Sequence, residues 1–126
     1  AYLQLQDPIG GEARDALTAA LAYRRVKTVV ALDTDVDLFS PHSVLWALAT
    51  RVQWSRDSIV IDDLSGSNLD PSLPEGATTA SKMGIDATLP RSGPDMPPPV
   101  ATVPPEVQQR VAQWLAAATD SQWPRS

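Results

Sequence analysis

VKTVVALDTDVDLFSPHSVLWALATR, residues 26–51, reads as a strand, an acidic turn and a helix in immediate succession. Val29, Val30, Ala31 and Leu32 form an unbroken apolar run, the pattern of a central strand covered on both faces. Asp33, Asp35 and Asp37 follow it, at the strand end where open α/β sheets place their ligands. Ser40 is a capping residue, and Pro41 suits the first helical position, where a missing N–H costs nothing. Val44, Leu45, Leu48 and Val52 then recur at helical spacing and are expected to pack the helix on the sheet.

Working towards the amino terminus, Glu12 opens a second helix, with Ala13, Ala16, Leu17, Ala20 and Leu21 as its apolar stripe. Glu12 and Asp15 stand in its first turn, and Arg24 and Arg25 are expected in its last, an order that complements the helix dipole. Before it, Tyr2, Leu3 and Leu5 make a weak first or edge strand that stops at Asp7-Pro8. In the other direction, Ile59-Val60-Ile61 supplies a third strand, which Asp62 and Asp63 are expected to end. Strands and helices in alternation imply an α/β fold: a three-layer sandwich around a mostly parallel or mixed sheet.

Beyond the third strand, LSGSNLDPSLPEG is a turn-rich loop with Asp70-Pro71 as a turn, and a short fourth strand is expected around Thr78 to Ser81. Seven of the twelve prolines fall between Pro90 and Pro105, so proline marks one arm and not the whole chain. The expected organisation is an α/β domain over 1–90, a stiff proline-rich arm over 91–103 and a terminal helix over 104–118. Val107, Val111, Trp114, Leu115 and Ala118 give that helix an apolar face. The face must be buried by folding back or by another subunit, and a stiff arm favours exchange between protomers.

The 126 residues suffice for one core without staples, and the absence of cysteine excludes disulfides, thiolate nucleophiles and Cys-based zinc sites. A formal charge of -5 with no basic run argues against nucleic-acid binding. No apolar stretch approaches the roughly 20 residues that span a bilayer, and no signal segment opens the chain, so a cytoplasmic location is the default expectation.

Asp33-Thr34-Asp35-Val36 has the form of the first motif of the haloacid dehalogenase-like phosphotransferases, in which the first Asp attacks phosphorus and the second handles the proton. Asp62-Asp63 and Lys82 would then stand for the metal-binding acids and the phosphate-pairing lysine. Against this, aspartates at strand ends ordinarily cap the turns that follow. A calcium loop counted from Asp33 fails, because Leu38 occupies the position that needs Gly and Val44 the one that needs Glu. The lone His42 reads as a surface or capping residue. Trp46, Trp54, Trp114 and Trp123 read as packing or interface residues.

Four stretches in register carry a resemblance: the 26–51 run, RDSIVID at 56–62, LDPS at 69–72 and SKMGIDATLP at 81–90. Together they resemble the carboxy-terminal domain of the UbiD-like decarboxylases over about residues 2–118. That family uses prenylated flavin mononucleotide, with a metal ion, to remove or add carbon dioxide on aromatic and α,β-unsaturated acids. The resemblance implies that this chain is the substrate-closing and oligomerisation domain or a small subunit. By the same resemblance the catalytic Glu–Arg–Glu network and the prenylated flavin belong to a separate flavin-binding decarboxylase domain or subunit, without which the chain is expected to be inert. Carried over by position, Ser67, Asn68 and Leu69 form part of the substrate pocket wall, the DTDVD aspartates are structural, and the 104–118 helix pairs copies into a homo-oligomer. A non-catalytic assembly module is the alternative, and a phosphotransferase using Asp33 and Asp35 a further one.

Overall fold

In the computed structural model, residues 1–90 and 101–120 are described, the last three by backbone alone. Eight elements follow in order: β1 (Tyr2–Leu5), α1 (Glu12–Leu21), β2 (Thr28–Asp33), α2 (Pro41–Arg51), α3 (Trp54–Asp57), β3 (Ser58–Ser65), β4 (Thr79–Ala87) and α4 (Pro105–Asp120). The sheet order is β1-β2-β4-β3; β1, β2 and β4 are parallel and β3 runs antiparallel to β4.

Alternation along β2 divides the core. Val29 and Ala31 point to the face covered by Ala13, Leu17 and Leu21 of α1, while Val30 and Leu32 join Val44 and Ala47 of α2 on the other face. Every residue from Val29 to Leu32 is buried, as an apolar run covered on both sides requires. Each such Val or Leu contributes about 1.5–3 kcal/mol on leaving water. The three layers expected from the alternation of strands and helices are therefore present. Ser40 caps α2 by accepting the Ser43 N–H at 3.3 Å, and Pro41 occupies the first turn. Leu45, expected on the sheet, instead faces outward at 64% exposed, and Ala47 fills the inner position.

The second half of the sheet departs from expectation. β4 is nine residues long, not a short segment at 78–81, and lies between β2 and β3. Its α1-side positions are Lys82, Gly84 and Asp86, so polar and small residues interrupt the apolar pattern of an interior strand. Gly84 is required by close approach: an added Cβ would stand 2.9 Å from Ile59 Cγ1 and 3.2 Å from Leu17 Cβ. β3 is an antiparallel edge strand, and Asp62-Asp63 do not end it. They form a bulge between Ile61 and Leu64, with Asp63 at φ 57, before pairing resumes at Leu64 and Ser65. The one-turn helix α3 is an addition to the expected elements. Its Asp57 carboxylate, although burial opposes the charge, is held below its usual pKa by hydrogen bonds from Arg56 and the Gln53 N–H.

Helix α1 ends at Leu21, so Arg24 and Arg25 lie beyond it and the last turn holds no basic side chain. The cation at that end comes from β4: Lys82, 2% exposed, donates at 2.9 Å to the carbonyls of both Leu21 and Tyr23. A long-range lysine thus satisfies the carbonyls that helix termini leave open.

The arm expected over 91–103 falls, for residues 91–100, outside the described residues, as does Trp123. In α4, Val111, Trp114 and Leu115 are exposed, and Val107 is half-buried. The terminal helix forms. Among the described residues no helix is long and apolar enough to cross a membrane.

Candidate pocket-wall loop

Between β3 and β4 the chain makes the loop 66–78, and its anchoring can be traced residue by residue. Gly66 sits against the start of β4, 3.2 Å in Cβ terms from the Thr79 backbone, and its N–H donates to Thr78 O at 2.8 Å. Its own carbonyl accepts Nε and Nη2 of Arg24, each at 3.3 Å. Ser67 Oγ accepts the Leu69 N–H at 3.2 Å, and Ser67 O accepts the Asp70 N–H at 3.0 Å, closing a tight turn. Asp70 Oδ1 accepts both the N–H and the hydroxyl of Ser72, at 3.0 and 2.7 Å, a local bonding pattern that LDPS encodes by itself. Lys27, just before β2, then reaches across to Asp70 Oδ2 at 2.7 Å and to Ser72 Oγ.

Both flanks of the turn are pinned, and its apex is not. Ser67 is half-buried, Asn68 is exposed, and Leu69 is 81% exposed. An isolated leucine at a surface is unremarkable. Here, however, it stands on a turn held by two side chains, Arg24 and Lys27, of the α1–β2 connection. Beneath the turn lies a cleft of about 410 Å³ whose walls include Val26, Ser67, Leu69 and Ala80.

The Lys27 hydrogen bond, helped by the two from Ser72, holds the Asp70 carboxyl down at about 2. Because the folded value lies below the ordinary 3.8, the anchoring is complete above about pH 4 and is lost as pH falls through 2. A carbon-detected titration of Asp70 is expected to show a midpoint near 2, and Lys27→Gln should move it back towards the ordinary carboxylate range. An unchanged midpoint in that variant would mean that Ser72 alone holds the charge.

The acidic turn after β2 is engaged elsewhere. Arg51 bonds Asp35 through two nitrogens, at 3.1 and 2.6 Å, and Asp33 Oδ2 through one at 3.3 Å. Asp33 Oδ2 also accepts the Leu89 N–H at 2.7 Å, and Asp37 Oδ1 accepts that of Phe39 at 2.9 Å. This is the structural role expected for these aspartates under the decarboxylase resemblance. It overturns the phosphotransferase constellation. Lys82 precedes Met83, the partner of Thr28, so it lies at the opposite end of β2 from Asp33, roughly 20 Å away by strand rise. Asp62-Asp63 flank the same end, because Ile61 pairs with Lys82. Among the described residues no group of three His, Asp or Glu side chains stands ready for a metal ion. His42 is exposed in the first turn of α2, and Trp46, Trp54 and Trp114 are exposed as well.

Residues 1–87 match the 3-octaprenyl-4-hydroxybenzoate carboxy-lyase C-terminal domain family. Anhydromevalonate phosphate decarboxylase of Aeropyrum pernix is 46% identical over 81 residues, which are 64% of this chain and 18% of that protein. The UbiD-class enzyme HmfF of Pelotomaculum thermopropionicum, solved in complex with FMN, superimposes with a TM-score of 0.73 at 35% identity, over 90% of this chain and 25% of that one. Vanillic acid decarboxylase of Sedimentibacter hydroxybenzoicus, in its closed form, gives 0.69 at 31% identity over 90% of this chain and 26% of its own. This chain thus spans about a fifth to a quarter of the length of these relatives. Sequence family and superposition agree, and the chain belongs to the UbiD-class carboxy-lyase family as its carboxy-terminal domain type, matched over residues 1–87.

Proposed function

We propose that this chain works as the substrate-closing and oligomerisation part of a UbiD-like decarboxylase acting on aromatic or α,β-unsaturated carboxylic acids, with a flavin-binding domain or subunit as its partner. The observation that carries this reading is the pinned turn at Ser67, Asn68 and Leu69: a rigid mount presenting one exposed apolar side chain. Such a mount suits a pocket wall that meets substrate only when two domains close. No cluster among the described residues fits the metal ion that accompanies the flavin. Asp33 and Asp35 bind Arg51, and Asp70 binds Lys27. By the family resemblance, prenylated flavin mononucleotide and its metal ion are assigned to the partner, and no step of the reaction is placed on this chain alone.

The domain limits proposed with this role are 1–90 for the α/β body, 91–103 for the arm and 104–118 for the exchanged helix. The exposure of Val111 and Trp114 on α4 supports pairing between copies. It also favours the second reading, a non-catalytic assembly module. Capturing partners from the native host with the tagged chain, with mass spectrometry and a flavin absorbance scan, separates the two. A flavin-carrying decarboxylase polypeptide supports the first reading; recovery of the colourless chain alone supports the second. In the enzyme reconstituted with that polypeptide, Leu69→Ala is expected to change relative kcat/KM between small and bulky acids by about tenfold, with folding unchanged. No change would remove Leu69 from the pocket.

A further inference from the structure

The cleft under the loop has a charge that its chain does not. Four cations line it, Arg24, Arg25, Lys27 and Lys82, against the single carboxylate of Asp70, in a protein of net charge -5. Three of the four have work within the fold, and that work does not exhaust them. Arg24 uses Nε and Nη2 on Gly66 O, and a guanidinium carries five N–H donors. Lys27 spends two of three donors on Asp70 and Ser72, and the buried Lys82 two of three on the Leu21 and Tyr23 carbonyls. Arg25 is exposed and makes no hydrogen bond or ion pair among the described residues. Between the cations the walls are apolar, from Val26, Leu69 and Ala80.

We infer that this cleft is a binding site for an organic anion, whose phosphate or carboxylate group is held by Arg25 and Lys27 while its apolar part lies on Val26, Ala80 and Leu69. Arg24 and Lys82 add positive potential and hold the walls. Fixed cations beside a low-dielectric wall attract an anion more strongly than the same charges in open water. Since the loop that bears Leu69 also forms the cleft, occupancy is coupled to the position of the pocket wall. Identifying this anion with the enzyme's substrate rests on the decarboxylase reading. A carboxylate that is lost must meet the partner's flavin, so a substrate held here carries a second anionic group. The cleft therefore selects acids with such a group.

Binding is read on the full chain alone, by amide shifts at residues 25–27 and 66–70 during titration with phenyl phosphate, benzoate and the neutral control benzyl alcohol. Shifts with either anion, weakened at least about tenfold by Arg25→Gln and much less by Arg25→Lys, bear the inference out. Binding of phenyl phosphate alone assigns the group as phosphate; binding of both includes carboxylates. Raising salt from low to physiological strength should weaken the interaction, as expected for partly exposed cations. Equal shifts with benzyl alcohol, or no shifts at millimolar anion, overturn it. Because no flavin partner is present, such a failure leaves partner capture and the Leu69→Ala result untouched.

Discussion

Replacing Arg51 with methionine is expected to lower the unfolding free energy by about 3–5 kcal/mol, the range for removing one partner of a buried ion pair. The Arg51 side chain is 11% exposed and that of Asp33 5%, so their charges are screened by protein rather than water. Methionine keeps the packing volume along α2 and removes only the guanidinium. Asp33 would then keep its Leu89 N–H bond at 2.7 Å but lose the cation facing it. The Asp35 arm adds little, because that carboxylate is 55% exposed and an exposed pair is worth about 1 kcal/mol or less. The test is urea unfolding at neutral pH of the wild type, Arg51→Met and the double variant Arg51→Met with Asp33→Asn. Asparagine still accepts the Leu89 N–H and carries no charge, so the double variant should regain a large part of the loss. A loss below 1 kcal/mol in the single variant would mean that water reaches Asp33 and the pair is not a buried one.

A comparable loss, about 3 kcal/mol or more, is expected for Lys82→Ala, and its origin is different. Truncation empties the volume of a fully enclosed side chain and strips the Leu21 carbonyl of the lysine donor, while the Tyr23 carbonyl keeps the Val26 N–H at 3.0 Å. Lys82→Met restores most of the volume without the donor and should cost about 1–3 kcal/mol, the desolvation of the Leu21 carbonyl left without the lysine. The difference between the two variants measures the cavity, and the residual in methionine measures the cap. Amide exchange locates the effect: in Lys82→Met, protection should fall first at the end of α1, around Leu21 to Tyr23. If exchange rose evenly across the sheet instead, Lys82 would be acting as a strand residue and not as a helix cap. Neutralising Arg24 and Arg25, which stand beyond the helix, should leave that end of α1 protected.

These two side chains also mark where reading the chain residue by residue stops working. The β2–turn–α2 unit was legible because its signals are local: an apolar run, a capping serine, a proline in the first turn and a stripe at helical spacing all lie within a few residues of one another. The α1 core positions Ala13, Leu17 and Leu21 and the Asp70–Ser72 turn were legible for the same reason. Ser67, Asn68 and Leu69 entered through resemblance, and the anchoring of their loop by Arg24 and Lys27 joins residues more than 40 apart, with no trace in the local pattern.

By itself, then, the sequence determined the α/β class, the apolar stripe of α1, the Ser40 cap of α2, the two-sided burial of β2 and the membership of a family. Tertiary structure decided the rest. It placed β4 inside the sheet despite Lys82 and Asp86, because a cap on α1 lets a lysine be buried where strand propensity argues otherwise. It turned β3 antiparallel at the edge, which carried Asp62 and Asp63 to the end of the sheet away from Asp33. It matched Arg51 to Asp33 across 18 residues and gathered four cations under one loop in an acidic chain. The physical reason is the reach of each force: dihedral preference, capping and amphipathic period act within one or two turns of chain. Strand pairing and the pairing of buried charges are settled only when distant segments leave water together.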